Sequence, residues 1–459
     1  MPRKWVVLVA ALLVTALSAT TWALGATGGT GTSSKSSNPQ ARLKADPPDA
    51  AFLPGDIRPD APELAARGPY GVGVRTLHVT NPNQVDILRY SATNTDPRYD
   101  RPLTLEVWYP AEIKGKQKEE LATYSDVLGS GPNDPARPNV PFEFQGRALR
   151  NAKPDDSGAA YPLIIVSHGY PGSRVLLTNL TENLASKGYV VVAIDHTEST
   201  HGDKAAFSST LLNRPLDILF VLDQMAELGE PKSHSFLSKV VDANRTALVG
   251  YSMGGYGVLT AAGAGITAAT VGWGAPGGKL AVLQAGTPEY EALLDKRIKA
   301  IVAFAPCCAT FGIWDADGLK GLKVPSLFVV GDQDQTAPFA GVKYLFGNTV
   351  NADRYMLVYQ NGDHEVPVNP APQITYSRWR EYVHYQEPAW DNTRTNNVNQ
   401  HFLTAFLGIH LNGKSYDDYL DLKYVYSNES NDYSKPPSEI WKGFKVWSAV
   451  GMEMHHREP

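Results

Sequence analysis

The stretch LVGYSMGGYG at residues 248–257 places Ser252 between glycines, directly after a run of apolar residues. A serine on a sharp turn between a buried strand and a helix is exposed for attack, and small residues on either side permit the tight backbone approach. The helix that follows would add a favourable field for developing negative charge. The alternative is a serine in an ordinary glycine-rich loop, so the flanking sequence must decide between the two.

The flanking sequence alternates continuous apolar runs with helical patterns. The apolar runs are PLIIVSHG (162–169), YVVVAIDH (189–196), TALVGYS (246–252), IKAIVAFAP (298–306), PSLFVVGDQD (325–334) and YMLVYQNGDH (355–364). Such runs are typical of strands buried on both faces. Alternation of these strands with helices predicts an α/β fold with a mostly parallel sheet, covered by helices on both faces.

Further elements complete this prediction. Two alternating runs, YGVGVRTLHVT (70–80) and RPLTLEVWYPA (101–111), predict an opening β-hairpin. Helices are predicted at NLTENLASKG (179–188), at RPLDILFVLDQMAEL (214–228) with Pro215 near its start, and at NNVNQHFLTAFLGIHL (396–411).

Composition limits the classes of protein to which the chain can belong. The 459 residues are 43% hydrophobic and 19% charged, which is typical of a soluble globular protein. The net charge is −5 and no basic stripe is present, so nucleic acid is not an expected partner. Residues 1–25 carry Arg3 and Lys4 near their start, followed by an apolar stretch, and predict an export signal and hence a secreted or periplasmic protein. An uncleaved N-terminal anchor is the alternative and would be the only contact with a membrane.

The rest of the chain divides by composition. Residues 26–66 are rich in Gly, Ser, Thr, Pro and Ala, which predicts a disordered linker. Residues 67–411 form the predicted α/β domain. The insertion at 266–295 is either a cap over the site or a surface excursion. Residues 412–459 form a C-terminal extension whose aromatic side chains pack on the core or line a surface for flat ligands.

A serine nucleophile needs a base and an orienting acid, which are expected downstream in the order acid, then histidine. Two candidate acids, Asp332 and Asp334, follow the strand 325–331. Asp334 is favoured, since it lies further out in the loop, where it can reach a histidine across the sheet edge. His364 follows the next strand in a Gly-Asp turn and is the predicted base.

Acyl transfer also needs two backbone N–H donors for the oxyanion. The predicted donors are Met253, directly after the serine, and Tyr170, in the loop after strand 162–167. His168 in the same loop is expected to brace it. His196 and His201 lie among acidic residues, but their spacing fits no metal-binding helix, so a polar loop is favoured over a metal site. No metal or cofactor is predicted.

The two cysteines, Cys307 and Cys308, are neighbours. Consecutive Cα atoms lie ~3.8 Å apart across a trans peptide, which is below the usual disulfide range of ~4.4–6.8 Å. Two buried thiols are therefore the favoured interpretation, and an oxidised pair is the alternative.

These motifs resemble the α/β-hydrolase superfamily, in particular its platelet-activating factor acetylhydrolase-like and dienelactone hydrolase-like branch. The resemblance is carried by GPYGVGVRTL, RPLTLEVWYPA, YPLIIVSHGYPGSR, LASKGYVVVAIDH, GYSMGG and KAIVAFAP, and it covers roughly residues 68 to 410. GYSMGG and GDQDQTAP are also similar to bacterial cutinases, which supports Asp334 as the acid. The acetylhydrolases carry their acid after the preceding strand, where this chain has FAPCCA, and dienelactone hydrolases use a cysteine nucleophile.

The resemblance implies a secreted serine ester hydrolase with a Ser252–His364–Asp334 triad, acting on a small-molecule, lipid or polymer ester. Two alternatives remain open at this point. One is a peptidase or amidase that uses the same triad, and the other is a non-catalytic binding module of the same fold.

Overall fold

The computed structural model describes residues 53–113, 121–432 and 434–459. The strands are β1 (Gly71–Val85), β2 (Arg98–Glu112), β3 (Thr123–Leu128), β4 (Val140–Gln145), β5 (Leu149–Arg150), β6 (Lys153–Pro154), β7 (Tyr161–Ser167), β8 (Val190–Asp195), β9 (Val241–Tyr251), β10 (Ile298–Phe304), β11 (Ser326–Gly331), β12 (Arg354–Tyr359) and β13 (Met452–Arg457). The helices are α1 (Thr178–Ser186), α2 (Phe207–Gly229), α3 (Met253–Ala261), α4 (Ala268–Gly274), α5 (Pro288–Glu291), α6 (Ala316–Leu319), α7 (Phe339–Asn348), α8 (Trp379–Tyr382), α9 (Asn392–Asn412) and α10 (Ser427–Ser430).

Within these ranges, one large sheet has the strand order β13-β12-β11-β10-β9-β7-β8-β2-β1-β5, with β6 paired to β2. The strands from β8 through β7, β9, β10 and β11 to β12 are parallel, and β1–β2, β2–β8 and β12–β13 are antiparallel. The predicted mostly parallel sheet and its opening hairpin are therefore confirmed. Strands β3 and β4 form a separate antiparallel pair.

Apolar side chains cover both faces of the sheet. Strands β7, β11 and β12 are buried along their whole length, as expected for continuous apolar runs with helices on either side. Helices α2, α3 and α7 pack on one face, and α1 and α9 pack on the other. No helix of the described residues is long and apolar enough to cross a membrane.

Helix α2 begins at Phe207, so the prediction that it starts near Pro215 is wrong. Proline inside a helix leaves the carbonyl four residues earlier without its usual donor. That carbonyl belongs to Leu211, and it accepts a hydrogen bond from the Tyr256 hydroxyl at 2.8 Å. A tertiary contact thus compensates for the proline, and a sequence pattern does not show it.

The predicted boundaries of the flanking segments also change. Residues 1–52, which include the predicted export signal, lie outside the described residues. Residues 53–66 of the predicted linker instead pack on the domain, because Leu53 and Ala65 are buried and the Leu64 N–H donates to His401 Nδ1. At the other end of the predicted extension, β13 joins the sheet beside β12.

Cys307 and Cys308 form a disulfide bond, so the favoured prediction of two thiols is wrong. Their Cα atoms lie 3.8 Å apart. Cys308 has a φ of 82°, a left-handed backbone conformation. This turn after β10 brings the neighbouring side chains to the same side, which spacing along an extended chain does not predict.

Candidate active site

Ser252 occupies a sharp turn between β9 and α3, with φ 55° and ψ −114°. The turn depends on glycine, because a Cβ at Gly254 would lie 1.9 Å from the Ser167 carbonyl oxygen, and one at Gly250 would lie 2.2 Å from the Gly254 carbonyl oxygen. The Ser252 N–H donates to the Phe304 carbonyl at 2.9 Å, and the Ser252 carbonyl accepts from the Cys307 N–H at 3.0 Å. These contacts to the end of β10 hold the serine in its left-handed conformation.

The three residues predicted to act together are within hydrogen-bond distance of each other. Ser252 Oγ lies 2.9 Å from His364 Nε2, and His364 Nδ1 lies 2.7 Å from Asp334 Oδ2. All three residues are buried, with 8% of the surface of Ser252, 5% of His364 and 4% of Asp334 exposed. A chain of bonds from hydroxyl to imidazole to carboxylate is an arrangement that can remove a proton from the hydroxyl.

The position of Asp334 in its loop explains why it meets His364. Its second oxygen, Oδ1, accepts hydrogen bonds from the Thr336 and Ala337 N–H groups at 2.8 and 2.7 Å. These bonds direct Oδ2 toward His364. Asp332 instead accepts from the Asn361 N–H at 2.7 Å, and it supports the turn before His364.

Electrostatics in the site favour a protonated His364. Burial lowers the pKa of His364, but the hydrogen bond and charge of Asp334, with the charges of Glu365 and Asp363, outweigh burial and raise the pKa above its usual value. Burial also raises the pKa of Glu365 to about 8. The imidazolium formed by proton transfer would therefore be stabilised.

Ser252 and His364 open on a cavity of about 270 Å³. Its walls are formed by Gly169, Tyr170, Pro171, Tyr251, Thr336, Asp363, Glu365, Val383 and His384. None of these residues belongs to 266–295, so both interpretations of this insertion, a cap or a surface excursion, stay predictions. Its Gly274 packs near Leu211 of α2, and the segment between β12 and α9 supplies Val383 and His384.

Both predicted oxyanion residues adjoin Ser252. Tyr170 lines the cavity, and Met253 is the first residue of α3, where backbone N–H groups have no partner within the helix. Arg214 donates to the carbonyl oxygens of His168 and Gly169, the latter at 3.0 Å. Because C=O and N–H point in opposite directions in a trans peptide, this contact directs the Tyr170 N–H away from Arg214.

Sequence analysis missed the buried polar network under this loop. Arg101 donates to both Asp217 oxygens at 2.8 and 2.9 Å, and Asp217 lies 2.9 Å from His196 Nδ1. His196 Nε2 lies 2.9 Å from Ser167 Oγ, and Arg214 bonds the loop directly. The available signal was the pair Arg214 and Asp217, which are charged residues on the buried, mostly apolar face of α2.

Two of the histidines that are not predicted to be catalytic, His168 and His201, form hydrogen bonds with backbone carbonyls. His168 Nδ1 lies 2.7 Å from the Gly169 carbonyl, and His201 Nδ1 lies 2.8 Å from the Gly129 carbonyl. Burial, with the charge of Arg214, lowers the pKa of His168 well below its usual value, which keeps it neutral. The described ranges contain no group of His, Cys, Asp and Glu side chains that could hold a metal ion.

Asparagines of α9 hold the segment that carries His364, and this role was also missed. Asn392 and Asn399 donate to the carbonyls of Glu365 and Val366 at 3.2 and 2.9 Å. Glu387 links this helix to the turn before His364. Its backbone N–H donates to the Asn392 side-chain oxygen, and the Glu387 carboxylate accepts from the Asp363 N–H at 2.7 Å. The signal was the set of four asparagines in the first half of this helix, Asn392, Asn396, Asn397 and Asn399, since buried polar groups on a helix need partners.

Comparisons with known proteins agree with this architecture. A family model described as "PETase: PET hydrolase-like" matches residues 150–276. A cutinase of Thermobifida alba, Cutinase est1, is 26% identical over 210 residues, which is 45% of this chain and 54% of the cutinase. The platelet-activating factor acetylhydrolase of Cavia porcellus is 29% identical over 140 residues, which is 29% of this chain and 28% of the acetylhydrolase.

A solved structure titled "Ferulic acid esterase from Streptomyces cinnamoneus" superposes with a TM-score of 0.50 and 21% identity. The superposition covers 77% of this chain and 94% of the esterase, and it supports the fold. The chain spans about half the length of the cutinase, and less of the acetylhydrolase. Together, the sheet order, the strand–serine–helix turn and the superposition show the α/β-hydrolase fold, and the sequence is similar to cutinases over part of its length.

Proposed function

We propose that this protein is a serine hydrolase of carboxylic esters. The observation that carries the proposal is the continuous bond chain Ser252–His364–Asp334 at the edge of a cavity that can hold a substrate. Similarity to a cutinase and to an acetylhydrolase favours esters over amides. A non-catalytic module would have no need for a buried, aligned set of all three groups.

The proposed reaction has two halves. Ser252 Oγ attacks the ester carbonyl while His364 Nε2 takes the hydroxyl proton, and His364 then gives this proton to the departing alcohol. In the second half, His364 takes a proton from water, the resulting hydroxide attacks the acyl group, and Ser252 regains its proton as the carboxylic acid leaves. Asp334 holds the imidazole in the required tautomer and stabilises the imidazolium.

The oxyanion of each tetrahedral intermediate would accept hydrogen bonds from the Tyr170 and Met253 N–H groups. Two features support this assignment. Arg214 anchors the Gly169 carbonyl, so the N–H of the same peptide unit is fixed before substrate arrives. The N-terminus of α3 adds a partial positive charge beside Ser252. Fixed donors cost no reorganisation during the reaction.

The substrate class is tested by a series of p-nitrophenyl esters of increasing acyl length, with p-nitroacetanilide as the matched amide. We expect hydrolysis of the esters and a kcat/KM for the amide at least about 10²-fold lower, because the amide leaving group needs protonation before it departs. Turnover of the amide alone would contradict an esterase.

We also propose export, on the basis of residues 1–25, and N-terminal sequencing of the mature protein tests this.

Activity is expected to fall on acidification, because protonated His364 has no lone pair to accept the Ser252 proton. The folded-state pKa of His364 is raised above the usual histidine value of 6.5. As the pH is lowered, the point at which half of the activity has been lost should therefore lie above pH 6.5. The measurement is kcat/KM against pH. A rate that stays constant well below pH 6 contradicts His364 as the base.

Glu365 needs a control, because it lines the same cavity and its pKa is raised to about 8. In Glu365→Gln the acidic limb should persist with its midpoint little changed, because Glu365, with a pKa of about 8, is mostly protonated in the pH range where the limb falls. Loss of the limb in this variant would assign it to Glu365 instead.

A further inference from the structure

A second cavity, of about 220 Å³, lies between the β3–β4 pair and the segment after His364. Phe142, Phe144, Pro370, Pro372 and Tyr385 form much of its wall, with the Asp126 carboxyl among them. We propose that this cavity is a binding site for one uncharged aromatic ring that carries an oxygen substituent. The proposal does not depend on the proposed function.

The walls have the shape and chemistry for a ring. Phe142 and Phe144 are stacked, with ring centroids 6.2 Å apart and planes at 25°, and Tyr385 meets Phe142 edge-on at 6.5 Å. Aromatic rings favour offset-stacked and edge-to-face neighbours over other contacts. An apolar cavity of about 150 Å³ already accepts benzene, so this cavity has room for one substituted ring.

The polar groups define the substituent. Tyr385 is 3% exposed, and its hydroxyl has no hydrogen-bond partner among the described residues. That hydroxyl has almost no accessible surface, so a ligand in the cavity does not reach it. The neutral oxygen would instead be recognised by Asp126, because each of its two carboxyl oxygens keeps a lone pair that can accept from a ligand hydroxyl. Asp126 accepts from the Ser173 hydroxyl at 2.7 Å and the Val127 N–H at 2.8 Å. Its carboxyl group disfavours an anionic ligand at the same wall.

This cavity shares no lining residue with the cavity beside Ser252. The two are nevertheless neighbours, because consecutive residues, His384 and Tyr385, line one cavity each. Asp126 also connects the second cavity to Ser173, next to the loop that carries Tyr170. The ring could therefore arrive as a free small molecule or as the aryl part of an ester, and the experiment separates these sources.

The test is calorimetric titration of the full chain with 4-methylphenol. The matched ligands are 4-methylcyclohexanol, which lacks the flat ring, and 4-methylbenzoate, which is an anion. We expect 4-methylphenol to bind about tenfold or more tightly than either, because only it offers both a flat ring and a neutral oxygen. Equal affinity for the three ligands would overturn the proposal.

Variants locate the site. Ala371→Phe, which fills the cavity, should abolish binding. Val383→Trp, which obstructs only the cavity beside Ser252, should leave binding unchanged. Phe144→Leu is the second wall variant if Ala371→Phe fails to fold. Loss of binding in Val383→Trp, with retention in the folded wall variants, would overturn the proposal.

Hydrolysis of 4-methylphenyl acetate and ethyl acetate distinguishes a ring that belongs to an ester substrate from a ring that belongs to a free ligand. If the ring belongs to a substrate, the wall variants raise KM for the aryl ester only. If it belongs to a free ligand, KM is unchanged for both esters while 4-methylphenol binding is still lost. Either result agrees with the proposed site, whereas unchanged titration by 4-methylphenol in the wall variants contradicts it.

Discussion

Replacement of Ser252 by alanine is expected to lower kcat on p-nitrophenyl esters by about 10⁴- to 10⁶-fold. The Ser252 hydroxyl is the only group of this side chain that reaches His364, at 2.9 Å, and alanine removes it without filling the cavity. Binding of the ester should change little, because the remaining cavity wall is intact. The measurement is kcat and KM with the purified variant, together with its thermal unfolding temperature.

A double variant gives a sharper version of this test. If Ser252 and His364 act as one unit, His364→Ala should cost about as much as Ser252→Ala, and the two together should cost little more. Losses that multiply would show that the residues act independently. Retention of more than about 1% of kcat by folded Ser252→Ala would exclude Ser252 as the nucleophile, since a missing nucleophile costs far more.

Asp334→Asn is expected to lower kcat by about 10⁴-fold at neutral pH. Asp334 Oδ1 accepts two backbone N–H groups, so the asparagine oxygen would remain there and its NH₂ group would face His364 Nδ1. An NH₂ donor forces the proton of neutral His364 onto Nε2. That nitrogen then cannot accept the Ser252 proton, although every atom keeps its place.

Asp332→Asn is the matched control. Asp332 lies two residues away and accepts a hydrogen bond from the Asn361 N–H, whereas the carboxylate that contacts His364 Nδ1 is that of Asp334. Its substitution should alter kcat by less than about threefold and cost about 1 kcal/mol of stability at most, the usual contribution of one hydrogen bond. A larger loss of kcat in Asp332→Asn than in Asp334→Asn would reverse the assignment of the acid.

The buried network explains why parts of the site escaped sequence analysis. The loop that carries Tyr170 is supported by residues far away in the sequence, since Arg214 and the His168 carbonyl to which it donates lie 46 positions apart. The bonds of Arg214 and of Asp217 with His196 form only when α2 packs against the sheet. The same holds for Asn392 and Asn399, whose partners follow His364. A polar residue on a buried helix face indicates that a partner exists but does not identify it.

The flanking segments show a second limit. Composition predicted a linker up to residue 66, yet a few apolar side chains, such as Leu53 and Ala65, are enough to hold residues 53–66 on the domain. The insertion at 266–295 has a sequence that fits either a cap or a surface excursion. Its Gly274 packs beside Leu211 of α2, and such a contact depends on the surface of the neighbouring helix, which the insertion's own sequence does not show.

The sequence by itself determined the α/β alternation, the strand–serine–helix turn and the order of the candidate acid and base, because these depend on local apolar patterns and on glycine. Only the tertiary structure decided which carboxylate meets His364, how Arg214 orients the loop at Tyr170, and which segment borders the cavity. The physical reason is distance along the chain. The bond from Ser252 to His364 joins residues 112 positions apart, and such a contact exists only once the parallel strands bring their carboxyl ends to one edge of the sheet.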